Sequence, residues 1–188
     1  MKPKHNHHHE PHRDAPVATK KQVQSTTKIR AGCVMSVFCF GMLFSVLGFV
    51  LHFAWEYSQC SAFFLHIKNI PTPGAMAFAA GGDIVIMWTV YLMMAFKYKS
   101  LTWFRGDWNF RTKLSLIGFS VLFAIVVEIW ALKTERWAYT ENNPVLPFFG
   151  FSILPVLQMA LINPVSFFVT KQIVASLVKS KCKQPKEN

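Results

Sequence analysis

The sequence predicts an all-α integral membrane protein, a bundle of four transmembrane helices with both termini on the cytoplasmic side. Three observations carry this. The 188-residue chain is 52% hydrophobic and only 15% charged, whereas soluble domains average about 25% charged residues. It holds four apolar stretches, at about 34–57, 74–96, 114–132 and 149–170. Each is close to the ~20 residues that a helix rising ~1.5 Å per residue needs to cross ~30 Å of hydrocarbon. Finally, the 20 Lys and Arg fall 17 on one side of the predicted membrane and three on the other.

The elements follow in order. Segment 1–30 is polar and holds five of the seven histidines, His5, His7, His8, His9 and His12, together with Glu10 and Asp14. Such a tract can hold a divalent metal loosely, but a solvated cytoplasmic tail is the expected role, and neither a metal site nor a cofactor is expected. Segment 31–173 is the four-helix domain, and 174–188 is a second basic cytoplasmic tail. Lys2, Lys4, Arg13, Lys20, Lys21, Lys28 and Arg30 precede the first span. Five more basic residues lie between spans two and three, and five follow span four. The opposite side has only Lys68, Lys133 and Arg136. The positive-inside rule therefore sets the orientation. Topology thus accounts for the net charge of +11, and no nucleic-acid partner is expected.

Other classes are excluded. The 18 Phe and 6 Trp are too many for a disordered chain, and no stretch alternates with the period of a barrel strand. The first span is too long and too late for a cleavable signal. Ala31-Gly32-Cys33 resembles the end of a lipoprotein cleavage site but precedes the apolar run instead of following it. Cys33, Cys39, Cys60 and Cys182 lack metal-knuckle spacing. Trp103, Phe104, Trp108 and Phe110 are expected to seat their loop at the headgroup level, and Trp130, Trp137 and Tyr139 to form the opposite aromatic belt.

The informative residues are the acids. Of nine, Glu56, Asp83 and Glu128 fall in or at the ends of the spans, with no Lys or Arg inside a span to pair with them. An ionised carboxylate at the bilayer centre costs at least ~2.5–3.5 kcal/mol, so these groups must face one another, water, a cation or a proton-bearing partner. Counting along the helices puts Glu56 and Glu128 near the outer ends of their spans and Asp83 roughly 14 Å down, near the midplane. His52, Glu56 and Gln59 are spaced to share one helix face. Trp55 flanks them, and Glu135, Arg136, Trp137 and Tyr139 follow span three. Span four offers Gln158 and Asn163. Its Pro155 and Pro164 are expected to kink it and free backbone carbonyls. Gly81-Gly82 before Asp83 is expected to let another helix, or a ligand, approach the backbone closely.

This set suits acid chemistry in an apolar cavity. A carboxylic acid can protonate an alkene or leaving group while a neighbouring carboxylate and aromatic faces stabilise the cation formed. Glu56, Asp83 and Glu128 are the candidate catalytic residues. The candidate binding residues are His52, Trp55, Gln59, Glu135, Arg136, Trp137, Tyr139, Gln158 and Asn163.

Several pieces carry a resemblance. His52-Phe-Ala-Trp-Glu56-Tyr-Ser-Gln59, Gly82-Asp83 and Glu135-Arg-Trp-Ala-Tyr139, running on to Pro147, Gly150, Pro155 and Gln158, resemble small bacterial polytopic membrane proteins. The Trp55-Glu56 element is similar to one in integral-membrane terpene cyclases. Arg136-Trp-Ala-Tyr139 with Gly150-Phe-Ser-Ile-Leu154-Pro155 resembles the membrane lycopene-cyclase domain, although this chain has Val156-Leu157-Gln158 where that domain turns acidic. The resemblance implies the bacterial inner membrane, a lipid or isoprenoid partner, and acid or cation-stabilising roles for Glu56 and Asp83. Two other classes stay open. One is a small proton-coupled transporter, which with four spans would need a homodimer. The other is a non-catalytic accessory subunit held in a larger membrane complex.

Overall fold

The computed structural model describes residues 20–65 and 72–182, with side chains placed over 37–60, 62–65 and 72–177. The histidine tract, Lys68 and the tail beyond Cys182 lie outside the described residues, as does the side chain of Cys33. The protein is mostly helical. Its elements are α1 (Lys20–Phe63), β1 (Phe64–Leu65), α2 (Pro73–Tyr98), a short 3-10 turn (Trp103–Arg105), α3 (Phe110–Lys133), β2 (Ala138–Tyr139) and α4 (Ile153–Cys182). Among the described residues, four helices are long and apolar enough to cross a membrane, over Val37–Cys60, Pro73–Tyr98, Phe110–Lys133 and Ile153–Leu177. Helical structure outruns the apolar stretches at both ends of the chain, because the helix-forming backbone continues into Lys-rich sequence at Lys20 and beyond Thr170.

Local sequence fixes the helix ends. Thr72 caps α2 by accepting from the Ala75 amide at 3.1 Å, and Pro73 occupies the first turn, where its missing N–H is not needed. Asn109 caps α3 through the Thr112 amide at 2.9 Å. The Ser152 hydroxyl accepts from Leu154 N at 3.2 Å at the start of α4. Pro155 therefore falls in the first turn of α4 and interrupts no ladder bond, contrary to the expected kink. Pro164 does lie in the helix interior.

Two stripes of residues spaced four apart organise the packing. On α1 the inward positions are Phe40, Phe44, Gly48, His52 and Glu56; on α3 they are Thr112, Leu116, Ser120, Ala124 and Glu128. Rows of this spacing interlock between helices. One half of the bundle is aromatic, with Phe40, Phe44, Phe167 and Tyr91 linked in a closed ring of contacts. Trp103 and Phe104 belong to this plug and are buried, so they do not seat a loop at an interface as expected. The 3-10 turn folds inward and stacks Phe104 on Phe40 at 3.9 Å between ring centroids. Of the expected loop anchors only Phe110 is strongly exposed, at 77%.

The close helix approach is also elsewhere than expected. Nothing lies within 4 Å of where a Cβ would stand on Gly81 or Gly82. A Cβ on Gly48 would meet Met87 Cε at 2.5 Å, and one on Gly41 would meet Trp88 at 3.1 Å. The glycines that admit a neighbour are Gly41 and Gly48 on α1, where α2 crosses. Thermal unfolding in detergent should separate the two kinds. Gly48→Leu should cost about 1–3 kcal/mol by overpacking, whereas Gly81→Ala should gain about 0.5–1 kcal/mol by removing a helix-interior glycine.

Candidate functional site

The site occupies the half of the bundle opposite the aromatic plug. His52, Glu56 and Gln59 enter from α1, Asp83 from α2, Glu128 from α3, and Gln158 and Asn163 from α4. Their common level follows from the antiparallel alternation of the helices: each residue sits toward the end at which α1 and α3 finish and α2 and α4 begin. At that end a clasp joins α1 to the segment after α3. β1 pairs antiparallel with β2, Phe64 opposite Tyr139 and Leu65 opposite Ala138. Asn143 Nδ2 donates to Phe63 O at 2.8 Å and Thr140 Oγ1 to Ala62 O at 3.1 Å. Gly150, at φ +70°, turns the chain back toward α4, a conformation glycine adopts without steric cost.

Two polar groups result. In the first, His52 Nδ1 lies 3.2 Å from Asp83 Oδ2. Gln158 Nε2 reaches both atoms at 2.9 Å. His52 Nε2 lies 3.3 Å from Asn163 Oδ1, and Asn163 Nδ2 donates to Ser120 Oγ at 3.1 Å. Gln59 Nε2 donates to Gln158 Oε1 at 3.5 Å. Glu56 interacts with Asp83, His52, Gln59 and Gln158. In the second group, Tyr139 Oη and Trp137 Nε1 both donate to Glu128 Oε1, the latter at 3.4 Å. Tyr139 Oη in turn accepts from Ser152 N at 2.9 Å. Trp137 and Tyr139 are therefore donors to a buried carboxyl, not an outward belt, because a carboxyl 1% exposed needs hydrogen-bond donors. Trp130 is half exposed, and Arg136 stacks over its ring at 4.9 Å.

Both groups face one cavity of about 700 Å³. Glu56, Asp83 and Glu128 all line it, with Gln59, Arg136, Trp137 and Gln158. His52 and Asn163 are fully buried behind its wall, and Trp55, Glu135 and Tyr139 are not lining residues. Glu135 is exposed in a left-handed turn, at φ 52°. Much of the remaining lining is small and apolar, including Ala75, Ala79, Gly82 and Ala124. Gly82 thus serves as cavity wall. α2 and α3 pack less closely than the other neighbouring helices, and the cavity opens along that seam, with Phe78, Val85 and Trp130 exposed at its mouth.

Ser120 is a participant that the sequence analysis did not single out. Its signal was its place on the α3 stripe, two steps of four from Glu128. Among the described residues no group of three or more His, Cys, Asp or Glu is arranged to hold a metal ion. Comparison with protein-family models, with curated proteins and with solved structures finds no match to this chain.

The second group makes a prediction. Burial, and then the hydrogen bond to Glu128, push the Tyr139 phenol above its ordinary range. The neutral donor form is the one the fold favours. Its stabilisation is present below the ordinary phenol value of ~10 and lost as the pH rises through the raised value. Tyr139→Phe should cost about 1–3 kcal/mol by leaving Glu128 and the Ser152 amide short of a partner. In urea titrations the difference from wild type should be flat from pH 6 to 9 and shrink in strong alkali.

Proposed function

We propose that this chain is a multi-pass membrane protein of the bacterial inner membrane, with both termini cytoplasmic, that admits a lipid or isoprenoid into the α2–α3 cavity and acts on it by acid–base chemistry. The observation that carries this reading is an apolar cavity open on the side of the bundle with three carboxyl side chains on its inner wall. A side opening between two helices suits a molecule arriving from within a bilayer. The 17-to-3 division of basic residues supports the orientation, placing the clasp and cavity in the non-cytoplasmic half. The outer surface supports the bilayer itself, since Phe38, Phe78, Phe96 and Phe168 are exposed, an arrangement a soluble surface avoids.

The chemistry follows from the wall. Asp83 and Glu56 stand together at the inner wall, where a carboxylic acid can transfer its proton to an alkene carbon. The alkene π pair forms the new C–H bond, and the acid becomes a carboxylate. The cation left on the substrate would meet Glu56, Glu128 and the faces of Phe64, Phe78 and Trp137, groups that attract positive charge. Loss of a proton from the cation back to a carboxylate completes an isomerisation or cyclisation with no net proton consumed.

Comparative lipid mass spectrometry tests this in membranes containing wild-type protein, Asp83→Asn or no protein. A lipid species present with wild type and at least tenfold reduced in the other two is expected. Identical profiles, with Asp83→Asn present in the membrane at the wild-type level, would overturn acid catalysis on a lipid.

A further inference from the structure

The hydrogen bonds beneath the cavity have a readable direction. Ser120 Oγ donates to Leu116 O at 2.9 Å, so toward Asn163 it is an acceptor. Asn163 must then present Nδ2 to Ser120, at 3.1 Å, and Oδ1 to His52 Nε2, at 3.3 Å. An amide oxygen only accepts, so His52 Nε2 carries hydrogen.

The other ring nitrogen faces Asp83 Oδ2 at 3.2 Å. Two lone pairs at that distance repel, and a hydrogen between them turns repulsion into a charge-assisted bond. Gln158 cannot substitute for it. Its amide nitrogen stands 2.9 Å from both His52 Nδ1 and Asp83 Oδ2, which are themselves only 3.2 Å apart, so the two lie in nearly the same direction from it. The two hydrogens of a planar amide nitrogen diverge widely, so only one of these two lines can carry a straight hydrogen bond. With a further proton between His52 and Asp83, one Gln158 hydrogen serves Asp83 Oδ2, and the approach of Gln158 to His52 Nδ1 needs no hydrogen bond of its own. His52 is 0% exposed, so solvent cannot make up the difference.

We infer that the His52–Asp83 contact holds one proton, that Asn163 and Ser120 are positioning residues that fix the His52 tautomer, and that Asp83 is the group that delivers this proton into the cavity. Asp83 is 14% exposed and lines the cavity, whereas His52 and Asn163 do not. The other titratable groups facing the cavity are Glu56 and Cys60 from α1, Glu128 from α3 and Arg136 from the following turn; α4 contributes none. Delivery breaks the bond between the proton and the pair. It leaves Asp83 as a carboxylate facing Gln158 and His52 as a neutral ring with Nδ1 open to the same amide. Glu56 is then the partner carboxylate. Only the delivery step rests on the acid–base function proposed above; the proton and the tautomer stand on the hydrogen-bond geometry.

The test needs no ligand. Full-length protein labelled with 15N-histidine is placed in phosphatidylglycerol–phosphatidylethanolamine nanodiscs, and His52 is assigned by the signals lost in His52→Gln. Solid-state NMR should find Nε2 protonated. It should also find either a protonated Nδ1 or a protonated carboxyl band in the infrared, and that extra proton should vanish in Asp83→Asn. Added to Asp83→Asn, where the ring is neutral, Ser120→Ala should let Asn163 turn over and populate the opposite tautomer, an effect that mere loosening of packing would not produce. An unprotonated Nε2 in wild type would overturn the proposal. So would an unprotonated Nδ1 with no carboxyl band lost in Asp83→Asn, and so would a tautomer in the Asp83→Asn, Ser120→Ala double variant identical to that in Asp83→Asn. If the proton is found but the lipid profiles are unchanged by Asp83→Asn, delivery fails while the proton site stands.

Discussion

A carboxyl group inside an apolar bundle must be given a partner, and that requirement organises this protein. Glu56, Asp83 and Glu128 are each met by donors from another element: Gln158 from α4 for Asp83 and Glu56, and Tyr139 and Trp137 from the β2 region for Glu128. Removing a partner from such a group costs more than the bond contributes, because desolvation is left uncompensated. The acids therefore dictate which helix faces meet. His52 ties α1 to α2 and α4 at one point, and the Asn163–Ser120 bond sets α3 against α4 at the same level.

The two halves of the bundle divide the work. The aromatic half, from Phe40 to Phe104, is densely packed and supplies rigidity without chemistry. The polar half has fewer large side chains, and small residues on α2 and α3 leave the seam open there. The clasp compensates by joining the ends of α1 and α3 through β1 and β2. A cavity placed between a rigid plug and a tied end keeps its acids positioned although one wall is missing.

The spans and their number were legible because an apolar run of twenty residues has few alternatives. The acids were legible because carboxyls are rare in such runs. What was hidden is which helix face meets which. Gly81-Gly82 looked like a point of close approach, but α1 crosses α2 through Gly41 and Gly48, and only the stripe of residues spaced four apart that contains Gly48 carries that information. Ser120 looked ordinary because a single hydroxyl in a helix normally bonds its own backbone; here it does so while also receiving Asn163. The clasp was invisible, since two-residue strands have no periodicity. Trp137 and Tyr139 were visible as aromatics but not as donors, because their role depends on a carboxyl nine and eleven residues back along the chain.

The claim on which the rest depends is that a lipid enters through the α2–α3 seam. Photo-cross-linking with a diazirine-bearing isoprenoid alcohol in nanodiscs, followed by peptide mapping, tests it directly. The account predicts label concentrated on Ala79, Val85, Val127 and Trp130, and displaced by excess unlabelled alcohol. Label spread evenly over the outer faces, on Phe38 and Phe168 as strongly as on Ala79, would contradict it.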